Sequence, residues 1–180
     1  MDLTEKQLES EEIYRGKIIT VYRDTVSLPE GRTSKREVVE HAGGAGVVAL
    51  DEDGYIYLVR QYRYAFGCEL LEIPAGKLER GEDPLKCAVR ELSEETGFTA
   101  DKMEFLGEIQ PSPGYCREVL YDYLATGLKC GDMHLDPGEY LKVERLRLED
   151  AYRAVMRGEL ADAKTVIGIL KTWERFRSGT

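Results

Sequence analysis

The stretch GKLERGEDPLKCAVRELSEETGF, Gly76 to Phe98, decides how this chain reads. Its second half carries helix signals at both ends. Asp83 suits the N-cap and Pro84 the first helical position, where a missing N–H costs nothing. Gly97 fits the position just past the end. Leu85, Ala88, Val89 and Leu92 form the apolar stripe expected to face a core. Yet Glu91, Glu94 and Glu95 crowd one side of the same helix, and like charges one turn apart repel by roughly 0.2–0.5 kcal/mol a pair. A solvated acidic face is one reading. The other is an all-oxygen site for Mg²⁺, with Mn²⁺ as the alternative ion. The loop EIPAGKLERGE leads straight into the helix and offers backbone carbonyls beside the carboxylates.

The whole chain constrains the choice. It has 180 residues, enough for one sizeable domain with or without an appendage, and it is 42% hydrophobic and 33% charged. A net charge of −9 argues against nucleic acid and anionic membrane as partners. An anionic substrate would therefore need a local positive centre. No apolar run reaches membrane-spanning length, and the start, MDLTEKQLESEEIYRG, is too acidic and polar for a signal peptide. Cys68, Cys87, Cys116 and Cys130 are scattered without a C-x-x-C pair, which reads as free thiols in a reducing cytoplasm. With only His41 and His134, a histidine-rich metal site is excluded.

Residues 1–12 read as a frayed start or a short charged helix. Lys17 to Leu28 and Ser34 to His41 read as two strands of a hairpin turned at PEGR, Pro29 to Arg32. Further strands are expected over Ala45–Leu50, Tyr55–Gln61, Glu69–Ile73, Met103–Glu108, Glu118–Thr126 and Tyr140–Arg147. Helices are expected over Leu148–Arg157 and after Asp162, the last with a stripe of Val166, Ile167, Leu170, Trp173 and Phe176. GGAG, Gly43 to Gly46, lacks a following Lys-Ser/Thr, so it reads as close backbone packing and not as a P-loop. The order is mixed α and β, without strict βαβ alternation.

Nine positions, Gly76, Glu82, Arg90, Glu91, Leu92, Glu94, Glu95, Gly97 and Phe98, match the Nudix box at fixed spacing. REVVEH, VRQYRYA, ELLEIPAGKLE, PSPGY and GELADAKT extend the likeness over roughly residues 14 to 170. The chain resembles the ADP-ribose pyrophosphatase branch of Nudix hydrolases. The resemblance implies an α+β fold: an α/β/α sandwich with a mixed sheet, preceded by an N-terminal antiparallel hairpin. Residues 1–42 would be a dimerisation arm and 43–180 the hydrolase domain. Metal would be held by Glu91, Glu94, Glu95 and the carbonyl of Ala75. Arg90 would orient the carboxylates, paired with Glu82 or Glu94, and Glu139 or a box glutamate such as Glu94 would take a proton from water. Arg36 (beside Lys35), Arg63, Glu69 and Pro113 would bind substrate.

Two departures from the pattern stand out. Relatives read H-P-G-A where this chain has HAGG, His41 to Gly44. The acidic loop expected to close on substrate has only Asp136 and Glu139, in LDPGEY. The implied reaction is hydrolysis of ADP-ribose to AMP and ribose 5-phosphate by a cytoplasmic homodimer. Three alternatives stay open: another nucleoside diphosphate sugar such as GDP-mannose or ADP-glucose, an ADP-ribose sensor that does not cut, and a structural acidic domain. The sensor reading sits badly with a complete set of box carboxylates.

Overall fold

The computed structural model describes residues 2–178, and the chain divides into two units. The first runs to Gly43 and includes Gln110–Val119. It holds a three-stranded antiparallel sheet of β1 (Lys6–Arg15), β2 (Ile19–Ser27) and β3 (Thr33–His41), in that order. Backbone bonds from Val39 N–H to Tyr115 O, 2.7 Å, and from Arg117 N–H to Val39 O, 2.9 Å, lay the 110–119 segment along β3.

The hairpin is thus three strands, and the expectation of a frayed or helical start is overturned. The glutamates of β1 find partners across the ladder that an isolated helix could not supply. Glu11 accepts from Arg23 at 2.7 Å and Glu9 from Thr25 at 3.3 Å. Cross-strand pairs of this kind outweigh a weak local preference for helix.

The second unit comprises Gly44–Ile109 and the chain from Leu120 on. Its strands are β4 (Gly44–Leu50), β5 (Tyr55–Arg63), β6 (Cys68–Glu72), β7 (Ala75–Lys77), β8 (Phe98–Ile109), β9 (Leu120–Cys130) and β10 (Leu141–Arg147). The main sheet runs β10-β5-β4-β9-β8, with β6 paired to β5 and β7 to β4. It is mixed, because β4 and β9 are parallel and the other pairs antiparallel. The helices are α1 (Pro84–Thr96), α2 (Leu148–Met156) and α3 (Ala163–Ser178).

Strand alternation sends β4 to both layers. Ala45, Val47 and Ala49 pack with Cys87, Ala88 and Leu92 of α1. Val48 and Leu50 pack on the other face with Leu148 and Ala151 of α2 and Ile169 of α3. This is the expected α/β/α sandwich. No helix among the described residues is long and apolar enough to cross a membrane.

The two helices turn only part of their expected stripes inward. On α1, Leu85 and Val89 are 41% and 45% exposed, whereas Cys87, Ala88, Glu91, Leu92 and Glu95 are buried. On α3 the buried face is Lys164, Thr165, Gly168, Ile169 and Thr172, while Phe176 stands half exposed. On both helices polar side chains share the buried face with apolar ones. All four cysteines are free thiols.

GGAG does mark close packing. A Cβ on Gly46 would fall 2.8 Å from Asp122 Oδ1 and 2.9 Å from Ile73 Cδ1. Asp122, on β9 opposite Gly46, is wholly buried, and neither carboxyl oxygen has a hydrogen-bond partner. Burial pushes its pKa up to about 7, with Lys164 opposing and Asp162 adding. The folded chain therefore keeps this proton up to about pH 7, whereas the unfolded chain releases it near 3.8, as an ordinary aspartate does. Folding binds the extra proton between those limits, so stability falls as pH rises across that window. Replacing Asp122 by Asn removes the titration. In metal-free thermal melts, the Tm advantage of Asp122→Asn over the parent should grow from pH 4 to pH 7 and level off above. A pH-independent difference would mean that Asp122 is ionised in the fold.

Candidate active site

The box helix α1 is set by its caps. Asp83 accepts from Leu85 and Lys86 N–H groups at 3.0 and 3.2 Å, and Gly97, at φ 74°, donates its N–H to Ser93 O. The strand β7 then runs past the buried side of α1. The N–H of Ala75 donates to Glu95 Oε2 at 2.8 Å. Gly76 lies so close to Glu91 that a Cβ there would sit 1.9 Å from Oε1. Any side chain there would push the Glu91 carboxylate off its place.

Arg90 serves three carboxylates at once. It donates to Glu91 at 2.6 Å, to Glu94 at 2.9 Å, and to Glu82 through Nε at 3.1 Å and Nη2 at 3.2 Å. The expected pairing with Glu82 or Glu94 is present with both, and Glu91 is added. Arg90 is held firmly charged, first by its bonds to Glu82 and then by Glu91 and Glu94. Glu95 is only 2% exposed and gets no share of it. Burial pushes Glu95 up to about 8; the Ala75 N–H pulls down, while the charges of Glu91 and Glu139 push further up. Glu91 is raised too, by burial first, against the pull of Arg90 and with Glu94 and Glu139 adding.

The acidic loop reaches this cluster because it is tied to the end of α1. Gly131 N–H donates to Gly97 O at 2.7 Å and His134 N–H to Glu94 O at 3.0 Å. A turn closed by Glu139 N–H on Asp136 O, 3.0 Å, then carries Glu139 within electrostatic reach of both Glu91 and Glu95. The other expected site residues lie as follows. Arg63 is bound to Glu72, Nε to Oε1 at 2.6 Å and Nη2 to Oε2 at 2.8 Å. Glu69 is exposed on β6 and lines a cleft of about 310 Å³ with Arg60, Leu160 and Asp162. Arg36 and Pro113 belong to the first unit; Arg36 is paired with Glu5 at 2.9 Å, and Pro113 is exposed.

Sequence reasoning missed Glu72, Lys164 and Thr165, which brace Arg63 and the turn before Ala75. Their only signal was placement within ELLEIPAGKLE and GELADAKT, and the partners that bury Glu72 lie 9 and 92 residues away.

The donor set suits a hard divalent cation: all oxygen, acidic, buried, with a glycine cradle at Gly76. Among the described residues no three His, Cys, Asp or Glu side chains converge as a ready ligand cage. Glu91 and Glu94 are instead turned onto Arg90, which answers their charge.

Residues 40–166 match the model of the NUDIX domain, and residues 5–39 match that of the nucleoside diphosphate sugar hydrolase N-terminal domain. The chain belongs to the Nudix family of hydrolases. It is 42% identical over 169 residues to the ADP-ribose pyrophosphatase of Bacillus subtilis (strain 168), covering 93% of this chain and 91% of that one. It is 41% identical over 167 residues to the methanol dehydrogenase activator of Bacillus methanolicus, covering 92% and 90%. A solved structure described as an ADP compounds hydrolase superposes with a TM-score of 0.86 over 99% of this chain and 98% of its own, at 22% identity, a likeness of fold. Nudix hydrolases generally use divalent metal ions.

Replacing Glu95 by Gln keeps an acceptor for Ala75 N–H and removes a charge that burial disfavours. Metal-free Glu95→Gln should therefore melt at or above the parent temperature at pH 8–9. The parent should gain Tm on adding Mg²⁺, because a ligand of the folded state alone stabilises it, and the variant should gain less. Hydrolytic activity should collapse. A variant much less stable without metal would make Glu95 a structural acid instead.

Proposed function

We propose that this chain hydrolyses the diphosphate bridge of ADP-ribose with Mg²⁺, releasing AMP and ribose 5-phosphate. The observation that carries the reading is the burial of Glu91 and Glu95 together on α1 against β7, with Ala75 N–H on Glu95 and Gly76 pressed against Glu91. The substrate is supported by the relative named ADP-ribose pyrophosphatase. Glu91, Glu94, Glu95 and the carbonyl of Ala75 would hold the metal. When bound it supplies positive charge to phosphoryl oxygens and acidifies a water.

The chain's own groups do the rest. Ala75 N–H fixes the Glu95 carboxyl, and Arg90 keeps Glu91 and Glu94 from swinging into solvent. Arg63, with 38% of its side chain exposed, offers N–H donors to charge developing on phosphate. Glu139 accepts the proton of the attacking water; the water oxygen joins phosphorus and the bridging P–O bond breaks. Arg36, Glu69 and Pro113 are assigned to substrate binding on the resemblance alone.

The acting form is a homodimer paired through residues 1–42, next to a hydrolase domain from 43 on, in the cytoplasm. Exposed Leu8, Ile13 and Tyr14 on β1 support the pairing, and four free thiols support the compartment. Activation of a dehydrogenase is a second reading, favoured by the 41% identity to a methanol dehydrogenase activator. Methanol dehydrogenase assayed with and without the chain tests it.

Two measurements test the main reading. With Mg²⁺, ADP-ribose should yield AMP and ribose 5-phosphate faster than GDP-mannose or ADP-glucose is cut, with products separated by chromatography. Glu139→Gln should lower kcat by about 10²–10⁴-fold with KM little changed; near-parent turnover would move the base to Asp136 or a box glutamate. Light scattering at micromolar concentration should give the dimer mass. A fully active monomer would overturn the arm's assignment.

A further inference from the structure

Glu72 ends β6 with 2% of its surface exposed, so its charge needs partners inside the protein. It has two. Arg63, at the end of β5, grips both carboxylate oxygens. Lys164, the second residue of α3, donates to Oε2, and its Nζ also donates to Asp162 Oδ2 at 2.9 Å. Burial alone would raise Glu72, but Arg63 and then Lys164 overcome it and hold the group at about 2. The two cations differ in access. The Lys164 side chain is 9% exposed, that of Arg63 38%.

That difference matters when an anion arrives. Were Arg63 the sole partner of Glu72, turning it toward a phosphate would strand a buried carboxylate, which is heavily penalised. With Lys164 behind it, Glu72 stays paired while Arg63 shares its fork. The same turn of α3 also fixes the backbone. Ile73 N–H donates to Thr165 Oγ1 at 2.9 Å, and Thr165 donates to Asp162 Oδ2 at 2.6 Å through its hydroxyl and at 3.0 Å through its N–H. Two residues beyond Ile73, Ala75 holds Glu95.

We propose that Lys164 is a positioning residue for the hydrolysis, keeping Glu72 paired so that Arg63 is free to turn part of its guanidinium onto the diphosphate. This rests on the reading of ADP-ribose cleavage given above. Lys164 acts through Glu72 and Arg63.

A double-mutant cycle of Lys164→Met and Arg63→Ala decides it, read in the full chain by kcat/KM on ADP-ribose with Mg²⁺, by thermal melts, and by Mn²⁺ affinity from electron paramagnetic resonance. Lys164→Met should lower kcat/KM roughly 10–100-fold in the parent and hardly at all once Arg63 is gone, since the group it serves is absent. The melts should couple with the opposite sign: the Tm loss from Lys164→Met should be larger without Arg63, because Glu72 then has no cation left. Mn²⁺ affinity should stay within about twofold. Lys164→Gln, which fills the space without the charge that answers Glu72, is the second variant should Lys164→Met fail to fold. Parent-like kcat/KM for the variant that folds, losses that simply multiply, or a large fall in Mn²⁺ affinity would each overturn the proposal. A parent that leaves ADP-ribose intact would sink the functional reading and the positioning role with it, while the melts would still register the shared hold on Glu72.

Discussion

Two glutamates of one helix are held out of water on the side that faces the sheet, and most of the second unit is arranged around that fact. A buried carboxylate must be paired, protonated or answered by a cation. All three solutions occur within a short distance along β6, β7 and α1. Glu72 is paired twice, by Arg63 and Lys164. Glu91 is paired with Arg90 yet still raised by burial. Glu95 has a single backbone N–H and sits at about 8, where a proton or a metal ion can answer it. The gradient from satisfied to unsatisfied runs toward the place where chemistry is proposed.

The same constraint explains the mixed buried faces of the helices. α1 exposes Leu85 and Val89 in order to bury Glu91 and Glu95, and α3 exposes Phe176 while burying Lys164, Thr165 and Thr172. Apolar transfer alone would favour covering Leu85, Val89 and Phe176 as well, by about 25 cal/mol per Å² of apolar surface buried. The polar faces win because they have partners inside: α3 bonds Glu72 and Ile73, and α1 receives Ala75 and carries Arg90. Both helices thereby clamp the same stretch, Glu72 to Gly76, from opposite sides of the sheet. Gly46 and Gly76 make room for this, one against Asp122 and the other against Glu91.

Much of this was legible in the residues, and for identifiable reasons. The box spacing, the caps at Asp83 and Gly97, and the turn chemistry are local, so helix α1 was read to the residue. Strands β2 to β6 followed from β-branched runs and their breaks. β1 was not legible, because KQLESEEIYR has no strand pattern of its own and is extended only through its ladder with β2. The box glutamates were visible as a cluster; that two of them are buried was not, since a charge run looks the same in sequence whether it faces water or a sheet.

The sequence by itself determined the family, the order of elements and the chemical type of the site, because those depend on residue identity at fixed short spacing. Tertiary structure alone decided which face of α1 and α3 is buried, that Arg63 is held by Glu72 and Lys164, and that the loop bearing Glu139 is tied to the end of α1. Glu72 and Lys164 are 92 residues apart in the chain. The balance of their burial against their pairing exists only once β6 and α3 meet, and no local pattern encodes a meeting of that kind.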